Sequence, residues 1–194
     1  MMHNVSRVAL VGAVGLTMAW SSLAHATTVR RASVAELARS SSIVFHGVVR
    51  KVNDHLATSK DGPFRTALEI EVLEILKGRH ADPIFSLTLP GGRAFDRVMR
   101  IPGMPIFAPG DEVVLMLERH TSGFALTGLA QGVFRIDRSS GSAIAARDLS
   151  GLHVLDLSPA KAKGEVVLAE RPTLDALLSF LKVAVDQAGK EGAQ

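Results

Sequence analysis

The chain contains no cysteine and no tyrosine, and its single tryptophan, Trp20, lies near the start. Without cysteine there is no disulfide, no thiol nucleophile and no thiolate metal ligand. A lipid anchor of the kind attached to an N-terminal cysteine is excluded as well. Stability must come from apolar burial and backbone pairing. Charge of one sign is also scarce: 22 basic residues face 19 acidic ones, a formal net charge of +3. No global field for capturing nucleic acid or an anionic membrane is expected from that balance. Single-stranded nucleic-acid sites need aromatic stacking platforms in a basic groove. Beyond residue 26 only phenylalanine supplies an aromatic ring, so no nucleic-acid partner is expected.

Long apolar runs are missing except at the start. Arg7 is followed by an apolar stretch from Val8 to Trp20 and then by Ala24-His25-Ala26. A basic n-region, a short apolar h-region and a small-x-small site predict a signal peptide over residues 1–26, cleaved before Thr27. Thirteen residues make a helix of about 20 Å, short of the ~20 residues that a membrane span needs. The expectation is an exported protein, periplasmic or secreted, with no membrane span after cleavage. The remainder fits one domain, read as residues 27–170, followed by a C-terminal helix and tail over 171–194.

Along that remainder, Ser33-Val34-Ala35-Glu36 has the form of a capping box and predicts a short helix over about 34–41. Ile43 to Val52, rich in valine, isoleucine and phenylalanine, predicts a strand. In Thr66 to Leu76 the apolar Leu68, Ile70 and Val72 alternate with Glu69 and Glu71, the pattern of a half-buried strand. Ile84 to Leu89 alternates in the same way. Val113 to Leu117 is continuously apolar and predicts a strand buried on both faces or crossing the core. Phe124–Leu129, Val133–Asp137 and Ala143–Arg147 predict further strands, with Gly128 and Gly132 marking a bulge or corner. Leu152 to Leu157 and Glu165 to Ala169 are weaker strand candidates. Thr173 is the expected N-cap of a helix carrying Leu174, Leu177, Leu178, Leu181 and Val185 on one stripe, closed by Gly189. Arg93 to Pro109, with three prolines and Gly103, predicts a long shaped loop. The fold class expected is mainly β with α: a small OB-like closed β-barrel with a short N-terminal helix and a C-terminal amphipathic helix.

Several stretches carry a resemblance. They are Ser42-Ile43-Val44-Phe45-His46-Gly47-Val48-Val49, Glu71-Val72-Leu73-Glu74-Ile75-Leu76-Lys77-Gly78 and Leu89-Pro90-Gly91-Gly92. Further along come Phe107-Ala108-Pro109-Gly110-Asp111-Glu112-Val113, Gly128 to Arg135 and Arg147 to Leu152. The pattern over residues 33–152 resembles uncharacterised exported bacterial proteins with an OB-like barrel. These are similar in fold to the netrin-like domain of tissue metalloproteinase inhibitors. The resemblance implies fold and export, not an activity. The inhibitors set an N-terminal cysteine on the protease zinc, and this chain offers Thr27, so that mechanism does not carry over.

No catalytic motif is present: no Gly-x-Ser-x-Gly elbow and no Ser-x-x-Lys. His46, His55, His80, His120 and His153 are scattered without ligand spacing, and neither a metal nor another cofactor is expected. Glu69 and Glu71 are explained by an exposed strand face, and Asp111-Glu112 by the turn that follows Pro109-Gly110. The most suggestive stretch is Gly91, Gly92, Arg93, Asp96, Arg97 and Arg100. Two glycines permit close backbone approach, and three arginines form a basic rim for a carboxylate, phosphate or acidic partner. An ordinary charged loop accounts for the same residues. Phe95 and Met99 add the apolar element that partner-binding loops carry. The leading expectation is an exported non-enzymatic binding module engaging a protein or acidic ligand through loop 90–109. The alternative is an extracytoplasmic hydrolase assembled from dispersed residues, such as His46 or His120 with Asp96 or Glu112.

Overall fold

The computed structural model describes residues 27–57, 59, 62–155 and 168–191. The expected leader over 1–26, Asp61 of the expected turn, and residues 165–167 of the weak late strand lie outside them.

Strand β1 (Thr27–Arg30) precedes helix α1 (Val34–Ser40). The capping box forms as read. Glu36 N–H donates to Ser33 Oγ at 3.2 Å, and Ser33 N–H donates to Glu36 Oε2 at 2.7 Å. Two long strands follow, β2 (Ile43–Leu56) and β3 (Arg65–Lys77), then β4 (Ile84–Pro90). The segment read as one long loop contains a small hairpin, β5 (Gly92–Ala94) and β6 (Arg97–Met99). Three-residue strands are too short to show a period, which is why alternation misses them. Next come β7 (Glu112–His120), β8 (Gly123–Leu126), a 3-10 turn (Leu129–Gly132), β9 (Val133–Asp137), β10 (Ile144–Ala146) and β11 (Leu152–Leu155). Helix α2 runs from Leu174 to Glu191. It passes Gly189, which was expected to stop it; one glycine costs a helix only about 1 kcal/mol. Ala176 N–H donates to Thr173 Oγ1 at 3.3 Å, the expected N-cap.

The main sheet runs β10-β9-β7-β2-β3-β4, with β8 on the other half of β7. It is mainly β with two helices, but it is not a closed barrel: among the described residues no strand pair joins β4 to β8. Register shifts along β2 and β3 curl the sheet, as bulges do. The curl brings β4 opposite β8, and there side chains meet instead of backbone. The Phe85 ring lies 4.9 Å from that of Phe45 and 5.2 Å from that of Phe124. β11 does not join this sheet. It pairs in parallel with β1, Thr27 opposite Leu152, in a separate two-stranded sheet.

The curl makes two apolar layers. Inside it, Phe45, Val49, Leu68, Ile70, Phe85, Leu87, Leu115 and Leu117 form one buried cluster. On the outer face, Val44, Val114, Met116 and Phe134 pack with α1 and with Leu174, Leu177 and Leu181 of α2. Alternate residues of β7 enter alternate layers, so the whole run Val113–Leu117 is buried. Its continuous hydrophobicity follows from a strand covered on both sides. Lys77 closes the outer layer at one end. Its Nζ donates to the carbonyls of Ala38 (3.0 Å) and Arg39 (2.6 Å), which are orphan acceptors at the end of α1.

Candidate functional site

The hairpin β5–β6 begins where Pro90 and Gly91 leave the sheet. Gly91 N–H donates to Phe64 O at 2.9 Å, and Thr66 Oγ1 donates to Gly91 O at 2.9 Å. Gly92 has φ 144°, and a Cβ there would lie 2.5 Å from Asp54 O and 2.9 Å from Arg65 O. The close approach these glycines permit is therefore of the chain to itself: the hairpin root presses on the arm formed by β2 and β3. Arg93 Nε sits 2.9 Å from Asp54 Oδ2. Ala94, the last residue of β5, is buried.

Gly92 pairs with Met99, Arg93 with Val98 and Ala94 with Arg97. Cross-strand partners share a face, and successive residues alternate. Arg93 and Val98 therefore occupy one face, and Arg97 and Met99 the other. The three arginines do not converge on one point: they surround the hairpin, with Arg100 exposed just past its end. Asp96 lies in the turn beside Phe95 and is exposed. Phe95 has φ 55°, the left-handed region that a bulky side chain avoids and that hairpin turns normally give to glycine or asparagine. It is 71% exposed. Val98, Met99 and Ile106 are exposed as well. Of the eight large apolar side chains exposed among the described residues, these four fall within twelve positions. Val98 and Ile106 carry no sequence signal, because an apolar residue in an irregular segment is read as buried until the surface is known.

A second polar constellation lies on the outer face of the sheet. His46, buried on β2, has Nε2 2.8 Å from Glu112 Oε1. Arg138 grips the same carboxylate from beyond β9, Nε to Oε2 and Nη2 to Oε1, both 2.7 Å. The Arg138 hydrogen bonds hold the Glu112 carboxyl below its ordinary range, with His46 adding to the effect, even though burial pushes the other way. Glu112 is thus a weak base with both oxygens occupied, which disfavours it as a proton acceptor. Of the dispersed set proposed for a hydrolase, His46 and Glu112 meet. His120 pairs instead with Glu118 at 3.1 Å, and Asp96 sits at the hairpin tip. His55 lies 3.4 Å from Asp54, and His80 is 3.1 Å from Ile84 O. Among the described residues no three His, Cys, Asp or Glu side chains are placed to share a metal ion.

The cleft beside Glu112, of about 490 Å³, is walled by Asp111, Glu112 and Asp137 and by Arg135, Arg138 and Arg171. Three carboxylates face three guanidiniums, and Arg135 is already paired with Asp111, so the cleft offers an anion no net attraction. A smaller pocket of about 220 Å³ between Gly103, Ile106, Arg135 and Asp148 falls below the ~300 Å³ at which small-molecule sites begin. The constellation ties β2 and β7 to Arg138 beyond β9. Glu112→Gln is expected to lower stability at neutral pH by about 1–3 kcal/mol, because buried His46 loses a charged partner. The sign with pH follows from the depressed folded-state value: the contribution is present above the ordinary carboxylate range and is lost as pH falls through the folded value. Melting temperature followed from pH 7 down to pH 3 should therefore drop less steeply in the Gln variant than in the parent.

Among the described residues no helix is long and apolar enough to cross a membrane. No protein-family model, curated protein or solved structure matches the chain.

Proposed function

We propose that the chain is an exported, non-enzymatic binding module with an OB-like strand arrangement, and that its contact element is the β5–β6 hairpin with the segment to Pro109, engaging an acidic partner. One observation carries this reading: apolar Phe95, Val98 and Met99 are displayed to solvent, ringed by Arg93, Arg97 and Arg100. Exposed apolar clusters on monomeric proteins mark interaction sites, and arginines around them favour acidic surfaces. Export rests on Arg7, the apolar stretch to Trp20 and Ala24-His25-Ala26.

Charge reversal at Arg93, Arg97 and Arg100 together is expected to reduce capture of partner material from an envelope extract at least ~10-fold, since each rim charge changes association rather than folding. The fold should be retained, because all three side chains are exposed. Undiminished capture by a folded triple variant excludes the hairpin as the contact element.

The hydrolase reading has the His46–Glu112 contact in its favour. Stoichiometric metal in the purified protein, or turnover of an ester or peptide substrate lost in a His46 variant, would establish it over the binding reading.

A further inference from the structure

We propose that the acidic partner is an anionic lipid surface, with the tip of the β5–β6 hairpin seated among the headgroups. The inference rests on the binding reading above and adds the partner's chemistry.

Two-sidedness is the first argument. A protein groove or a sheet edge accepts one face of a hairpin, and the selected face then carries the apolar residues while the other stays polar. Here the tip Phe95 projects from the turn, Val98 lies on one face and Met99 on the other, all exposed, while Ala94 on the Met99 face is buried. Arg93 and Arg97 are divided between the two faces in the same way. A bilayer interface is apolar in every direction around an inserted knob, so it rewards this distribution, and a convex tip needs no matching cavity. Arginines at the hairpin flanks can keep their guanidiniums at headgroup level while their stems lie along apolar surface.

Charge complementarity is the second argument. Four arginines gather at the hairpin and its root, Arg65, Arg93, Arg97 and Arg100, against Asp54 and Asp96. Among these six residues the formal balance is positive, unlike the cleft beside Glu112, where three carboxylates face three guanidiniums. Basic residues beside an apolar anchor are the combination that holds proteins on anionic leaflets. The low net charge of the whole chain fits this picture. Attraction acts at contact range, after the apolar tip has engaged, and not as long-range capture.

Strain is the third. Phe95 occupies a backbone region where glycine would be easier, and with 71% of its surface exposed it adds little to the core. A bulky residue held in that conformation at a tip is the kind of local cost that accompanies a contact role.

The test is sedimentation of the purified exported protein with vesicles of phosphatidylcholine alone and of phosphatidylcholine with phosphatidylglycerol. Binding is expected to the second and to be at least ~10-fold weaker to the first. A Phe95→Gly, Val98→Ser double variant should lose on the order of tenfold or more in partitioning, as expected for removal of two apolar side chains, with no fall in melting temperature. Asp96→Asn should bind more tightly, because it removes the acidic group next to Phe95 in the turn. Failure to sediment with phosphatidylglycerol vesicles overturns the lipid inference. So does equal binding to both vesicle types, and so does unchanged binding by the double variant. If vesicles are not bound but the triple arginine variant still loses capture of a soluble acidic protein, the partner is a protein and the binding reading survives without the lipid. If neither vesicles nor protein depend on the hairpin, both fall.

Discussion

Leu181→Ala in α2 is expected to cost about 3 kcal/mol and to lower the unfolding midpoint of the whole domain. Leu181 is fully buried, as is Leu177 one turn before it, and both pack into the outer layer with Val114, Met116 and Phe134. Removing most of a buried leucine forfeits its transfer free energy and leaves a cavity that rigid neighbours cannot fill, typically about 2–5 kcal/mol. Buried residues of β2, β7, β9 and β10 belong to the same layer, so little collapse is available. Equilibrium denaturation should show one transition with the slope of the parent and a lower midpoint. A helix that served to dock a partner would behave differently: the substitution would leave the main transition in place or split off a separate one. Leu174, Leu177 and Leu181 of α2 are buried in the outer layer, which leaves the hairpin as the contact surface proposed above.

The second large effect is expected at Gly47. This residue sits in β2 at a register shift against β3, between His46 and Val48. A Cβ built there would overlap the carbonyl oxygen of Glu71 and press on Ile70 Cγ2 at 3.1 Å and the Phe45 ring at 3.3 Å. The first obstacle is backbone of the paired strand, and the other two belong to fully buried side chains. Nothing can rotate away, so the two longest strands must separate locally. Gly47→Ala is expected to cost about 3 kcal/mol or more, at the upper end of overpacking effects, and Gly47→Val to prevent accumulation of folded protein. Because His46 is the adjacent residue, the Ala variant should also lose part of the acid sensitivity assigned to Glu112. Thermal unfolding at neutral and acidic pH measures both at once. A variant as stable as the parent would mean that β2 and β3 do not approach as described.

How much of this was legible in the sequence depends on the length of each feature. β3 and β4 were readable from alternation, β7 from a continuous apolar run of five residues, and β2 from its wealth of valine, isoleucine and phenylalanine. α1 was readable because Ser33 and Glu36 state its first turn. Closure of the sheet was overestimated. Apolar alternation reports that a strand has a buried face, and says nothing about whether the final gap is bridged by backbone or, as between Phe85 and Phe124, by side chains. The parallel pairing of β1 with β11 joins four-residue segments more than a hundred positions apart, and no local pattern encodes such a partner.

At the candidate site the division is similar. Gly91, Gly92 and the arginines were visible as residue types, but the sharing of Arg93 and Arg97 between opposite faces depends on a two-residue turn with Phe95 in an unfavourable conformation, which propensity would not place there. Glu112 was visible as a turn acid, whereas its clamp by His46 and Arg138 exists only because β2, β7 and β9 lie side by side. The features on which the proposed binding rests, an exposed phenylalanine and two-faced charge, are those where local sequence rules and the fold disagree.

The most direct test of the hairpin as contact element is amide hydrogen exchange on the exported protein, alone and mixed with envelope membranes and soluble envelope protein. Slower exchange confined to residues 92–106, with 110–112 and 135–138 unchanged, is the predicted result. Protection at the Glu112 cleft with none at the hairpin would contradict it.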